Sequence, residues 1–328
     1  MMSPRMPRRR RGGGRDDDGY DDADEPAFED DGSVFSPVAD DPYHDDEPHT
    51  PAVGRRPFRL PLIDRNLASR TLVAVPGIFV AILVVYAGGF LFMAALAVLA
   101  CLALLEFYSL TAATRPLRWA GYLGSLTMIF LAWNHDNPPY GVLHGMAIGA
   151  GFIALAALTV GRIEDITARV STTALGMGYI GFAFAMLMAL RELPHGGGAV
   201  ANVLVGVWVF DTASYFGGKL RGTIPVAPRI SPGKTLEGLI TGLVVGVLAV
   251  VVSGLYMDWI DAFQSLVLGV VICVASYMGD LFESALKRDA GAKDSGRLLP
   301  GHGGVLDRFD ALMFASVAAY FTTVALIH

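Results

Sequence analysis

Residues Gly279–Asp310 read GDLFESALKRDAGAKDSGRLLPGHGGVLDRFD and combine carboxylates, amines, guanidinium groups and an imidazole in one run. The run lies between two apolar segments, Gln264–Met278 and Ala311–Ile327, each long enough to enter a membrane. Charged residues beside a transmembrane helix often serve only as solvated anchors. A loop that merely joined two such segments would not need this range of chemistry, so the stretch predicts a functional site at the membrane surface.

The first part of this stretch has helical spacing. Asp280, Glu283, Ser284, Lys287 and Arg288 follow one another at i, i+3, i+4, i+7 and i+8, which places them on one face of a helix. Carboxylates suit Mg2+, which proteins typically hold through one or two carboxylates together with substrate phosphates. Lysine and arginine suit the phosphates themselves. The face therefore indicates phosphate chemistry.

The second part predicts a turn followed by a helix. The Gly-His-Gly-Gly run at residues 301–304 contains glycines that permit positive φ and a close approach of the backbone. Asp307 and Asp310 follow at i and i+3, so they share one face as the last helix begins. Acidic side chains are thus expected on the helix before this turn and on the helix after it.

Residues 211–238 form a second polar block. Asp211 lies inside an apolar segment, where burying a carboxylate costs enough free energy to suggest a functional site. The alternative is a structural role, in which a neighbouring Ser, Tyr or backbone group satisfies the carboxylate by hydrogen bonding. Ser231 is predicted to cap a helix with Pro232 at its first position, so that free N–H groups beside Lys234 would bind phosphate. The Gly-Lys-Thr run here lacks the upstream glycine of a P-loop.

The composition predicts a membrane protein. Apolar residues make up 53% of the 328 residues and charged residues 17%, and the mean hydropathy is +0.48. We count nine apolar segments, although several are shorter than the roughly 20 residues that span a bilayer. They are Leu72–Tyr86, Phe90–Leu110, Leu117–Trp133, Val142–Val160, Thr172–Leu190, Val200–Gly217, Leu236–Met257, Gln264–Met278 and Ala311–Ile327. The predicted fold is an all-α polytopic membrane protein with about nine transmembrane helices.

The loops between these segments predict the orientation, because cytoplasmic loops carry an excess of lysine and arginine. With the N-terminus in the cytoplasm and the C-terminus outside, the outer loops hold only Arg191. The inner loops hold Arg115, Arg118, Arg162, Arg169, Lys219, Arg221, Arg229, Lys234, Lys287, Arg288, Lys293, Arg297 and Arg308. Both polar blocks are therefore expected to face the cytoplasm.

Residues 1–65 are predicted to be a disordered cytoplasmic tail, rich in arginine at first and acidic afterwards. Residues 1–54 carry fifteen of the 31 acidic and six of the 25 basic residues, so the rest of the chain has a net charge of +3. No apolar signal-peptide core follows the arginines. The two cysteines, Cys101 and Cys273, lie in apolar segments and predict neither a disulfide nor a zinc site.

Taken together, the two polar blocks resemble the phosphatidate cytidylyltransferases, also called CDP-diacylglycerol synthases. The C-terminal block has Ser284-x-x-Lys287-Arg288, Lys293-Asp294, Pro300-x-His302-Gly-Gly and Asp307-Arg308-x-Asp310. The earlier block has Asp211-Thr-x-x-Tyr-Phe-Gly-Gly-Lys219 and Ser231-Pro-x-Lys234-Thr235-x-Glu-Gly. The resemblance is specific from Asp211 to Asp310. Residues 72–200 match only in hydropathy and helix count, with Glu106-Phe107-Tyr108 as a fainter similarity, and the acidic tail is not part of the pattern.

The resemblance implies that residues 66–328 form a transmembrane cytidylyltransferase domain with catalytic blocks at 211–238 and 279–310. Its reaction would convert CTP and phosphatidic acid to CDP-diacylglycerol and pyrophosphate, with Mg2+ and a second, monovalent cation as cofactors to consider. The implied catalytic residues are Asp280, Lys287, Arg288, Asp307 and Asp310, of which Asp280, Asp307 and Asp310 would hold the metal, with Asp211 as a further candidate ligand. The implied substrate-binding residues are Asp211, Ser231, Lys234, Thr235, Ser284, Lys293, Asp294 and His302.

The same resemblance implies a multi-pass protein of the plasma membrane with its site in the cytoplasm, in contact with membrane lipids and without a nucleic-acid partner. A homodimer is left open. The polar residues in the first five segments, Glu106 among them, are expected to be interfacial or paired and not catalytic. Two other functions compete: a CTP-dependent kinase of a membrane polyprenol, and a secondary transporter, for which the sequence shows no convincing inverted repeat.

Overall fold

The structure is a computed structural model, and it describes residues 77, 79–160, 163–296, 298 and 303–327. The predicted tail, residues 1–65, lies outside the described residues, and so does His302. Its disorder and the role of His302 therefore stay predictions.

The described chain is almost entirely helical. Residues 79–87 are helical, and eight longer helices follow in the described part of the chain. These are α1 Gly89–Leu110, α2 Arg118–Asn134, α3 Pro138–Thr159, α4 Ile166–Glu192, α5 Gly196–Arg221, α6 Leu236–Gly254, α7 Ala262–Asp289 and α8 Leu306–Ile327.

Seven of these helices are long and apolar enough to cross a membrane, namely all except α2. Helix α2 has 17 residues and coincides with the third predicted segment. The predicted helical, multi-pass architecture is therefore confirmed at this level. The count of nine spans and the placement of the two termini stay predictions.

Helix α4 is the most buried of the seven, and it packs against α2, α3 and α8. A π-helical turn, Met177–Gly181, interrupts it near its middle. Helices α5, α6, α7 and α8 pack against one another in sequence order around the C-terminal half, where both predicted blocks lie. These four helices carry the residues of the site.

Helix α7 confirms the helical spacing predicted for residues 280–288. It begins with a capping box in which the Asp261 carboxylate accepts a hydrogen bond from the Gln264 N–H at 2.7 Å, and the Gln264 side chain accepts one from the Asp261 N–H at 2.9 Å. The helix then runs without a break to Asp289, so the apolar segment and the charged face belong to one rigid element.

Helices α7 and α8 cross closely at Gly279. A Cβ atom on Gly279 would lie 2.5 Å from the carbonyl oxygen of Asp310, so only glycine permits this approach. The crossing lies directly beside Asp280 on α7 and places it close to the first turn of α8.

The predicted helix start at Ser231 is wrong. Residues Ser231–Thr235 form strand β2, which pairs antiparallel with strand β1, Pro225–Ala227, in a short hairpin. Helix α6 starts at Leu236, where the Thr235 hydroxyl caps it by accepting a hydrogen bond from the Gly238 N–H at 3.3 Å. The capping function thus falls four residues later than expected.

Candidate active site

One cavity of about 530 Å³ collects polar residues from both predicted blocks. It lies among α5, the hairpin, α6, α7 and the start of α8. Its walls are formed by Phe210, Asp211, Ser214, Tyr215, Gly218, Lys219, Gly233, Lys234, Thr235, Gly238, Leu239, Tyr277, Asp280, Lys287, Asp307 and Asp310. Seven of the predicted site residues are among them: Asp211, Lys234, Thr235, Asp280, Lys287, Asp307 and Asp310.

Lys234 joins the hairpin to α7. Its Nζ lies 2.7 Å from Oδ2 of Asp280, and it also lies over the ring of Tyr277 at 5.2 Å from the ring centroid. Lys234 is the fourth residue of strand β2, so the hairpin holds this amine at the cavity wall. The predicted phosphate ligand Lys234 is therefore paired with the predicted metal ligand Asp280.

Lys287 lies between two carboxylates. Its Nζ forms an ion pair with Oδ1 of Asp307 at 2.7 Å and a second ion pair with Glu283. Glu283 is fully buried, so Lys287 compensates a charge that has no access to water. The prediction placed Glu283 on the charged face but gave it no role, and the structure shows that it fixes Lys287.

Asp307 organises the backbone in front of α8. Its carboxylate accepts hydrogen bonds from the Gly304 N–H at 2.9 Å and from the Ser295 N–H at 3.1 Å, in addition to the Lys287 amine. Both oxygens of the Asp307 carboxylate therefore already accept hydrogen bonds from other groups of the protein. A cation bound to Asp307 would compete with three existing donors, and the predicted metal role of Asp307 stays a prediction.

The remaining carboxylates fit a hard cation by their chemistry. Asp211, Asp280 and Asp310 come from three different helices and face the same cavity. In the described residues, no hydrogen bond to the Asp211 carboxylate is found, while Oδ1 of Asp310 accepts one from the adjacent Ala311 N–H at 2.7 Å. No group of three or more His, Cys, Asp or Glu side chains within the described ranges already has the geometry of a metal site. Carboxylate oxygens are nevertheless the ligands that Mg2+ prefers.

Four further predicted residues do not form the cavity walls. The Ser284 hydroxyl donates to Oδ1 of Asp280 at 3.4 Å, a position that orients the carboxylate. The Arg288 guanidinium donates to the carbonyl oxygens of Ile230 and Ala292, each at 3.3 Å, and so ties the hairpin to the end of α7. Lys293 and Asp294 are exposed in the connection between α7 and α8. Their roles, and that of Ser231, stay predictions.

Two groups near the site were not predicted. Lys219 was counted as a basic loop residue and as the end of a family motif but was given no role in the site, and it lines the cavity with its amine 5.5 Å from the centroid of the Tyr215 ring. Glu106 was expected to be interfacial or paired, and the structure places it in the interior with 2% of its surface exposed. A carboxylate in the apolar run of α1 was the available signal for this residue.

Comparison with known proteins gives consistent results. The sequence model of the cytidylyltransferase family matches residues 68–326. The phosphatidate cytidylyltransferase of Staphylococcus saprophyticus is 31% identical over 248 residues, which cover 75% of this chain and 94% of that protein. The phosphatidate cytidylyltransferase of Staphylococcus aureus is 32% identical over 249 residues, with the same two shares. The chloroplastic phosphatidate cytidylyltransferase 4 of Arabidopsis thaliana is 35% identical over 206 residues, covering 55% of this chain and 52% of that protein.

Proposed function

The chain belongs to the cytidylyltransferase family, and from this premise we propose that it joins CTP to phosphatidic acid, giving CDP-diacylglycerol and pyrophosphate. The staphylococcal relatives, which it matches over 94% of their length, carry the name of this activity. The two substrates are polyanions, one soluble and one held in the membrane. An enzyme for this reaction needs a cationic site beside the lipid headgroups.

The observation that carries the proposal is the convergence of the two polar blocks in one cavity. Lys219 and Lys234 come from residues 211–238, and Lys287 comes from residues 279–310. Each amine faces a space large enough for phosphate groups. The only basic residues among the described cavity walls are these three, so we assign phosphate binding to them.

The chemistry needs orientation and charge stabilisation above all. A phosphate oxygen of the lipid attacks the α-phosphorus of CTP in line, and the bond to the β-phosphate breaks as pyrophosphate leaves. The attacking phosphate is already ionised near neutral pH, so no general base is required. The lysines stabilise the negative charge that spreads over the transferring group and the leaving pyrophosphate.

We assign Mg2+ binding to Asp211, Asp280 and Asp310, because these carboxylates face one cavity from three helices. When bound, the cation would neutralise phosphate charge as a Lewis acid. Asp280 and Lys234 form an ion pair at 2.7 Å. Lys234 is thus held beside a carboxylate that would bind the cation.

We also propose that the site faces the cytoplasm of a plasma-membrane protein. The excess of basic residues in alternate loops supports this orientation. The diacyl part of the lipid would stay in the bilayer and enter between helices from the side. CTP would then reach the cavity from the cytoplasm.

The test is an assay of the purified protein with labelled CTP, phosphatidic acid and Mg2+. We expect a lipid-soluble cytidine product together with one pyrophosphate for each molecule formed. A phosphorylated polyprenol without pyrophosphate would show the competing kinase activity. Absence of a cytidine lipid at any Mg2+ concentration, from protein shown to be folded, would rule out the proposed reaction.

A further inference from the structure

Glu106 lies in α1, outside the cavity walls, and only 2% of its surface is exposed. Its Oε2 atom accepts a hydrogen bond from the Leu306 N–H at 2.8 Å and another from the Ser295 hydroxyl at 3.2 Å. Ser295 belongs to the connection between α7 and α8, and Leu306 is the first residue of α8. A single buried carboxylate therefore ties this connection to the first long helix.

The backbone is built around this carboxylate. A Cβ atom on Gly296 would lie 2.5 Å from Oε1 of Glu106, and a Cβ atom on Gly304 would lie 2.5 Å from Oε2. Any side chain at either position would overlap the carboxylate, so both glycines allow the connection to close on it. The contact therefore involves three residues of the connection and the first residue of α8, and it is not an isolated hydrogen bond.

Asp307 holds the same connection through two backbone hydrogen bonds. It accepts hydrogen bonds from the N–H groups of Ser295 and Gly304, which lie next to the contacts of Glu106. Asp307 also pairs with Lys287, and both of these side chains line the cavity. Lys287 is thus linked, through Asp307, to a connection that Glu106 also holds.

We propose that Glu106 is a positioning residue for cytidylyl transfer: by anchoring the α7–α8 connection to α1, it sets where Asp307 and Lys287 lie in the cavity. The proposal rests on the proposed function of the site. A carboxylate offers two acceptor oxygens and a side-chain amide only one, so glutamate is better suited to hold this segment than glutamine. Small displacements of a positioned group reduce the rate of transfer and leave binding of the substrates largely intact.

The experiment compares Glu106→Ala, Glu106→Gln and Ser295→Ala with the unchanged full-length protein in detergent or vesicles. We expect Glu106→Ala to lower kcat about 100-fold, with the KM for CTP changed by less than about threefold. Glu106→Gln keeps one acceptor oxygen and should recover part of kcat. Ser295→Ala removes one donor and leaves the fold intact, so it should lower kcat about three- to tenfold.

A matched control is Ser109→Ala on the same helix. The Ser109 hydroxyl is exposed and bonds only to the Leu105 carbonyl at 2.6 Å in the described chain, so its removal should leave kcat unchanged. Normal kcat in both Glu106→Ala and Ser295→Ala would overturn the proposal. If Glu106→Ala does not fold, the kcat of Ser295→Ala decides the question.

Amide hydrogen exchange separates this inference from the proposed function. Exchange at Ser295, Gly304 and Leu306 should become faster in Glu106→Ala, while exchange in α5 and α6 stays unchanged. This measurement needs no substrate, so it tests the anchoring even if the unchanged protein makes no cytidine lipid. Unchanged exchange at these three amides would overturn the proposal whatever the activity shows.

Discussion

Lys287 lies between two carboxylates, one of which is fully buried. Removal of the amine would leave Glu283 as an uncompensated buried charge, which typically costs about 3–5 kcal/mol of folding free energy. We therefore expect Lys287→Met to lower both the thermal stability and the turnover of the protein. Thermal unfolding and the CTP assay, run on the same preparation, measure the two effects.

The double variant Lys287→Met with Glu283→Gln separates these two roles of Lys287. Neutralising Glu283 removes the buried charge, so much of the lost stability should return. Turnover should stay low, because no amine then reaches the phosphates from α7. A double variant that regains both properties would show that Lys287 serves stability alone.

Asp280 gives a second prediction for a single residue. Asp280→Asn keeps the size of the side chain but removes the charge that pairs with Lys234 and faces the cavity. We expect turnover to fall by about 100-fold or more and the Mg2+ concentration needed for half-maximal activity to rise. The measurement is a Mg2+ titration of the purified enzyme.

Asp289→Asn is the matched control for Asp280→Asn, since Asp289 is exposed on the same helix and does not line the cavity. It should titrate with Mg2+ like the unchanged protein. Full turnover of Asp280→Asn at an unchanged Mg2+ requirement would refute the assignment of Asp280 to the metal.

At the level of the helices, the crossing of α7 and α8 controls the distance between the two acidic segments. A Cβ atom on Gly279 would lie 2.5 Å from the Asp310 carbonyl oxygen and 3.1 Å from Cβ of Phe314. Gly279→Ala should therefore push the helices apart, with an overpacking cost of about 1–3 kcal/mol. We expect a lower unfolding temperature and reduced turnover, both measured in the same detergent.

Gly151→Ala tests whether this effect is specific to the crossing. Gly151 lies in α3 with no atom within 4 Å of the Cβ position, so the added methyl group meets open space. Stability and turnover should both stay close to those of the unchanged protein. Equal losses in the two variants would show that any glycine substitution in a helix disturbs the protein, irrespective of the crossing.

The elements differ in how far the sequence predicts them. Helix α7 was predictable because its charged residues repeat with the helical period and its apolar part precedes them directly. The hairpin was not, because Ser231-Pro232 is typical of a helix start and a five-residue strand with Pro and Gly lacks the alternating pattern of a strand. Such a short strand is stabilised by pairing with its partner strand, Pro225–Ala227, and not by the β-propensity of its own residues.

The residues of the site also differ in how far the sequence predicts them, because some are marked by their local sequence and others only by contacts with distant residues. Asp280, Lys287 and Asp307 were recognised because they lie in polar blocks beside apolar segments, where their chemistry is exposed in the sequence. Glu106 contacts Ser295 and Leu306 only after the chain has folded, across 189 and 200 positions of sequence. A single sequence contains no periodicity that joins such distant residues, so the fold alone reveals this contact.

Across the whole molecule, the cavity requires that the hairpin and the α7–α8 connection lie at the same end of the helices. The structure meets this requirement, since Lys234 from the hairpin pairs with Asp280 from α7. The opposite end of α6 and α7 carries the short connection around Asp258. If the α6 helix spans the membrane, Arg229 in the hairpin and Asp258 lie on opposite sides of it.

This arrangement predicts the orientation of the protein in the membrane. Single cysteines are placed at Arg229→Cys and Asp258→Cys in a background where the two native cysteines, Cys101 and Cys273, are alanine. A membrane-impermeant maleimide should label Asp258→Cys in right-side-out vesicles and Arg229→Cys only in inverted vesicles, because the basic hairpin is expected in the cytoplasm. The cysteine-free protein controls for background, and detergent exposes both sites. Labelling of both positions from one side would contradict a membrane-spanning α6, and a reversed pattern would place the site outside, away from its nucleotide.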